Sequence, residues 1–243
     1  TAPTEIYTLS LHDGSSDLFL SAADGDELLQ LVEEGKVSYA SVNDLGSVSA
    51  SDIYLDHHIR EILALPLVDV QAISNARMSV VIDAVNSNGG IAIPLLLERL
   101  GVHAIHRLYC DPTGEFPHNP EPLPEHLSDI CREVPFHHAD VGFVVDPDVD
   151  RLAIIDETGE PFGEEYTLVA VADYILQHTP GNTVSNLSST QALADITRKA
   201  GCEYMASAVG EVNVVEMMKQ THAVIGGEGN GGVIYPEIGR AHV

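Results

Sequence analysis

Apolar and polar positions along this chain switch repeatedly between a period of two and a period near 3.6, and the switches predict its elements. Ile53, Leu55, Ile59, Ile62 and Leu63 recur at helical spacing behind Ser51 and Asp52, two good N-cap residues, and the run stops before Pro66. A strand-like run follows at 78–83. Next come a Gly89-Gly90 turn and a helix over 91–100, closed by Gly101, with Pro94 in its first turn. Residues 102–109 read as the next strand. Five prolines within 111–124 make that stretch a stiff loop. A helix near 125–133 then leads into a strand at 141–145.

After a second short strand at 152–156 and a turn at 157–159 the pattern starts again. A long apolar helix spans about 167–178. Strands at 182–187, 203–208 and 223–225 alternate with helices at 190–200 and 211–220. Strands and helices alternating at these lengths predict α/β layers with mainly parallel sheets, in two consecutive α/β/α domains divided near Thr158. Residues 19–49 are polar and turn-rich, with a short helical pattern at 25–34.

The two ends stand apart. Residues 4–18 and 237–243 read as translated sequencing-adapter DNA. Segments 1–18 and 237–243 are therefore set aside, and the native chain is expected to continue past both.

Charge changes the picture more than composition does. The 243 residues are 44% apolar, enough for real cores, yet their net charge is −26. Such a surface disfavours nucleic acid and anionic membranes as partners, and it repels any phosphorylated substrate unless a metal or placed arginines draw it in. No apolar run is long enough to cross a bilayer. Three scattered cysteines, Cys110, Cys131 and Cys202, fit reduced thiols in a cytoplasmic setting and not a disulfide frame.

The sharpest chemistry is Asp146-Pro147-Asp148-Val149-Asp150-Arg151, between two apolar strands. Three carboxylates within five residues repel one another unless a cation or protons neutralise them. In an extended strand alternate side chains sit about 6.7 Å apart, whereas two oxygens on one magnesium are at most about 4.2 Å apart. The chain must curl here, and Pro147 helps to break the ladder. The curled loop offers oxygen ligands only, which suits a hard metal. An acidic surface turn is the bland alternative. An EF-hand loop is excluded by Arg151 where glycine is needed, and by flanking strands. Arg151 reads either as a structural ion pair or as a fork for phosphate.

The remaining candidates are quieter. Residues 225–233 (IGGEGNGGV) form a glycine-rich turn at a strand end, unlike a dinucleotide loop. His57-His58 and His137-His138 are adjacent pairs and read as solvated. Ser188-Ser189-Thr190 reads as a helix cap, and Glu164 and Glu165 favour a helix N-terminus. His118, in the stretch GEFPHNPEP, reads as structural.

The acidic loop resembles the metal loop of the α-D-phosphohexomutases, usually DGDGDR, with Pro147 and Val149 in place of both glycines. The glycine-rich turn resembles that family's sugar-recognition loop, typically GExSG, with Glu228 at the glutamate and Asn230 where serine is usual. AVGEVN at 208–213 resembles its TxVGD-type turn and puts Glu211 at a binding-loop position. The resemblance implies Mg2+ on Asp146, Asp148 and Asp150, Arg151 supporting the transferring phosphoryl group, and Glu228 and Asn230 binding a phosphosugar. It also implies a four-domain isomerase that moves phosphate between C6 and C1 of a hexose through a phosphoserine and a bisphosphate. Domain 2 would span 51–158 and domain 3 would span 159–236, with 19–50 the tail of domain 1. The serine loop (TASHNP-like) of domain 1 and the phosphate loop (RxSxTEP-like) of domain 4 are absent from this sequence. Overall resemblance favours glucosamine phosphate over mannose or glucose phosphate. A non-catalytic sugar- or metal-binding module and an acidic-loop phosphatase using Asp146 are the alternatives.

Overall fold

The computed structural model describes residues 22–36, 38–51 and 53–238. The adapter-like segment at the start, and most of the one at the end, lie outside them. The chain divides into two compact units, 1–57 and 58–243. In the first, helix α1 (Ala22–Glu33) leaves Leu29 and Val32 exposed. Helix α2 (Ile53–Ala64) buries Ile59. A short helix, α3 (Val70–Ala76), follows. Its Asp69 cap accepts the Ala72 N–H at 2.8 Å.

The second unit holds two four-stranded sheets. The first comprises β1 (Ser79–Asp83), β2 (Ala104–Leu108), β3 (Val141–Val145) and β4 (Leu152–Ile155), in the order β2-β1-β3-β4. β1 is parallel to β2 and β3, whereas β4 returns antiparallel to β3, pairing Val145 with Leu152. Helix α4 (Gly89–Arg99) covers one face and α5 (Ser128–Phe136) the other. The middle of β1, Val80–Ile82, is apolar without alternation because both its faces are covered. Val80 and Ile82 pack with Leu97 of α4, and Val81 packs with Ile130 and Val134 of α5.

The second sheet repeats the plan with β5 (Thr183–Asn186), β6 (Tyr204–Ser207), β7 (Ile225–Gly227) and β8 (Val233–Ile234), in the order β6-β5-β7-β8. Again the first three strands are parallel and the last is antiparallel. Helices α6 (Glu164–His178) and α7 (Ala192–Lys199) pack through Leu168, Ile175 and Leu193 against Ile225. Helix α8 (Glu211–Thr221) packs Val214, Val215 and Met218 against Val184. These are two consecutive α/β/α domains with mixed, mainly parallel sheets.

Two local expectations are corrected. Gly89 and Gly90 are the first residues of α4, not a turn before it, so Pro94 sits inside the helix. The approach of a neighbouring backbone explains the glycine at 90, since a Cβ there would come within 2.4 Å of the Cys110 carbonyl oxygen. Of Ser188-Ser189-Thr190 only Thr190 meets the start of α7, its Oγ1 accepting the Ala192 N–H at 3.4 Å, while the hydroxyls of Ser188 and Ser189 turn back to Asn186.

Candidate metal and substrate site

In a parallel sheet, ligands collect at the carboxyl ends of the strands, and every candidate residue here lies at such an end. Asp146 follows the last residue of β3. It is 5% exposed, and its Oδ1 accepts the backbone N–H groups of Asp150 and Arg151, both at 3.1 Å. Those two bonds, with Val149 N–H donating to the Asp146 carbonyl at 3.2 Å, curl the acidic segment as its charge pattern requires. Val149 takes φ +64 to close the curl. Ligand oxygens of Asp146, Asp148 and Asp150 then lie within 4.8 Å of one another, and among the described residues this is the group of three or more potential metal ligands. Burial first, then the side chain and charge of Asp150 and the charge of Asp148, push the Asp146 carboxyl up to about 7.

Arg151 lies 3.8 Å through Nε from both Asp146 Oδ2 and Asp150 Oδ1, and donates from a terminal nitrogen to Glu121 at 3.4 Å. Its Nε is buried without a hydrogen-bond acceptor. An all-oxygen, triply acidic donor set with a misaligned guanidinium as its neighbouring cation fits a hard divalent ion. The proline-rich loop that supplies Glu121 is anchored by His118, whose Nε2 meets Asp83 Oδ2 at 3.0 Å. Burial raises the Asp83 carboxyl above its ordinary value even with that partner.

Across the cleft, Glu228 follows the end of β7. Its Oε1 accepts from Asn186 Nδ2 at 2.6 Å and from the Gly210 N–H at 3.0 Å, while Asn230 Nδ2 approaches Oε2 at 3.4 Å. Glu211 opens α8 beside them. Burial and then the charges of Asp150, Glu228 and Asp148 raise its carboxyl above the ordinary range. A cleft of about 220 Å³ brings the two loops together, lined by His58, Asp150, Arg151, Glu211, Glu228 and Asn230 among others. Leu152 N–H donates to the Gly231 carbonyl at 3.2 Å, joining the two loops directly.

Two histidine expectations are corrected. His58 lines the cleft instead of lying in solvent. His137 stacks on His106, ring centroids 4.0 Å apart, and pairs with Glu133. Sequence reasoning missed Asn186 and Glu121, whose roles come from partners far away in the chain.

An α/β/α pair with an acidic loop facing a glycine-rich loop defines a class, and comparison with known proteins agrees. Residues 53–159 match the phosphoglucomutase/phosphomannomutase alpha/beta/alpha domain II, and residues 163–241 match domain III. The chain belongs to this family, the α-D-phosphohexomutases, and contains its central domains. It is 35% identical over 200 residues to the phosphoglucomutase/phosphomannomutase of Thermococcus kodakarensis, covering 82% of this chain and 43% of that one. It is 28% identical over 225 residues to a "probable phosphoglucosamine mutase" of Methanopyrus kandleri, covering 92% and 48%. The crystal structure of a phosphoglucomutase/phosphomannomutase family protein from Burkholderia thailandensis superposes with a TM-score of 0.75 at 25% identity, over 90% of this chain and 46% of that one. The chain thus spans about half the length of the relatives it matches. Among the described residues no helix is long and apolar enough to cross a membrane.

Proposed function

We propose that these two domains supply the metal loop and the sugar-recognition loop of a Mg2+-dependent phosphohexomutase that interconverts hexose 6-phosphate and hexose 1-phosphate. The observation that carries this reading is the convergence of Asp150 and Arg151 with Glu211, Glu228 and Asn230 on one cleft. Asp146, Asp148 and Asp150 would hold the ion, which when bound supplies positive charge to the oxygens of a transferring phosphoryl group. Arg151, freed to aim its guanidinium fork, adds two-pronged hydrogen bonding to the same group. Glu228 accepts from sugar hydroxyls, and Asn230 fixes the ring's orientation. The donor serine and the distal phosphate loop of such an enzyme are not among these 243 residues. The chain is therefore expected to bind metal and phosphosugar without turning substrate over. Its three free cysteines suit a reducing, cytoplasmic location.

Among substrates we favour glucosamine phosphate. The name carried by the Methanopyrus kandleri relative supports it. So does the negative field in which Glu211 sits, which favours an ammonium over a hydroxyl.

Calorimetric titration tests the reading. The chain should bind Mg2+, and Asp148→Asn should weaken that binding roughly tenfold or more, about 1.4 kcal/mol, with no change in thermal unfolding because Asp148 is exposed. With Mg2+ present, glucosamine 6-phosphate should bind more tightly than glucose 6-phosphate. Unchanged Mg2+ affinity in the variant sinks the metal assignment, and equal affinity for the two sugars sinks the substrate preference.

A further inference from the structure

We infer that Asn186 is the positioning residue for Glu228, setting which carboxylate oxygen meets the sugar; the inference rests on the substrate-binding role proposed for Glu228. Asn186 ends β5, a central strand of its sheet, and is 3% exposed. Its orientation is unambiguous. The Ser188 backbone N–H donates to Oδ1 at 3.2 Å, and a backbone N–H can only donate, so the amide nitrogen must face the other way. The hydroxyls of Ser188 and Ser189 add donations to the same Oδ1 at 2.9 and 2.7 Å. With Oδ1 saturated, Nδ2 points at Glu228 Oε1, 2.6 Å away.

Gly210 N–H donates to that same Oε1 at 3.0 Å, so the carboxyl ends of β5, β6 and β7 meet on one atom. Glu228 Oε2 carries only the 3.4 Å approach of Asn230 Nδ2. Asn230 is itself oriented by Gly232 N–H donating to its Oδ1 at 3.1 Å. Two donors on Oε1 leave Oε2 as the acceptor presented to a ligand. The group it takes must be a donor, a sugar hydroxyl or a protonated amine. A buried amide with every polar atom satisfied is rigid, which is what holding a recognition group to a fraction of an ångström demands.

The test uses the intact chain with Mg2+, and glucosamine 6-phosphate and glucose 6-phosphate as probes. Asn186→Asp keeps the oxygen that Ser188 and Ser189 require and replaces the donor with a second carboxylate oxygen facing Glu228. It should weaken sugar-phosphate binding roughly tenfold in the native background and less than about twofold when Glu228 is already alanine, the signature of one residue acting through another. Equal losses in both backgrounds, or no loss, overturn the inference. If the variant fails to fold, the side-chain amide resonance of Asn186 in the unsubstituted chain decides. It should move when either sugar phosphate is added and when Glu228→Gln is introduced, and a resonance unmoved by both refutes the role. Failure of the unsubstituted chain to bind either sugar phosphate would instead refute the substrate-site reading itself.

Discussion

The backbone N–H of Leu152 donates to the carbonyl of Gly231 at 3.2 Å, so the strand leaving the acidic loop is tied to the turn that carries Asn230. Gly231 holds φ +94, and a Cβ there would lie 2.6 Å from the Leu152 carbonyl oxygen. Backbone cannot give way as a flexible side chain does, so only glycine permits this approach. Gly231→Ala should lower stability by about 2 kcal/mol or more, combining the clash with the cost of the conformation. Mg2+ affinity should be largely retained, because the curl is held by Asp146's own bonds to the Asp150 and Arg151 N–H groups, whereas sugar-phosphate affinity should fall. Thermal unfolding and calorimetry read the two effects separately.

Val149 sits at φ +64, a region that β-branched residues avoid, at a position where the related metal loop usually has glycine. The strain is worth about 1–2 kcal/mol, offset in part by packing of the Val149 side chain against the core that includes Val145 and Leu97. Val149→Gly should therefore keep Mg2+ affinity within about threefold, the scatter expected of a half-compensated change. Val149→Pro fixes φ near −65° and removes the N–H that donates to the Asp146 carbonyl. It should abolish Mg2+ binding, and calorimetry showing native affinity in the proline variant would mean that the curl does not form the site.

How far these features could be read from the residues depends on how local their causes are. The curl at Asp146 was legible because three carboxylates at alternate positions cannot stay extended and share one ion. The two layered domains were legible because β1 and its neighbours are short apolar runs separated by helical spacing. His58 was not. Adjacency says that His57 and His58 point apart, but not which of them faces the cleft between the acidic and glycine-rich loops. Asn186 was hidden for a similar reason, since Glu228 lies 42 residues further along the chain. The helical start at Gly89-Gly90 was misread because paired glycines ordinarily mark turns, and the constraint at 90 comes from the Cys110 backbone.

Tyr109 donates to Asp129 Oδ2 at 2.7 Å, and this bond first, then Arg132, holds the Asp129 carboxyl below its ordinary value. A lowered carboxyl means that the folded chain binds fewer protons than the unfolded one between the two pKa values. The stabilisation is therefore complete above the unfolded value of about 3.9 and is lost as pH falls through the folded one. Tyr109→Phe should cost about 1 kcal/mol at neutral pH. The difference between variant and parent should shrink as pH drops below about 4. Denaturant melts at pH 7 and pH 3 check it, and an equal gap at both would show that the hydroxyl acts through something other than the Asp129 charge.

Cys110 lies just beyond the end of β2, its Sγ 3.3 Å from the Leu108 carbonyl oxygen. Burial first, then the charge of Asp83, push its thiol up to about 11. At pH 8 only about one molecule in a thousand then carries the thiolate, against roughly a quarter for an ordinary thiol with pKa about 8.5. Because the thiolate is the nucleophile, iodoacetamide should alkylate Cys110 in the folded chain about two orders of magnitude more slowly than in the urea-unfolded chain. The folded rate should climb nearly tenfold per pH unit between 8 and 10. Peptide mass spectrometry after timed labelling measures both. Comparable folded and unfolded rates would show that the carboxyl end of β2 opens to solvent on the labelling timescale, and with it the packing that brings the Cys110 backbone against Gly90.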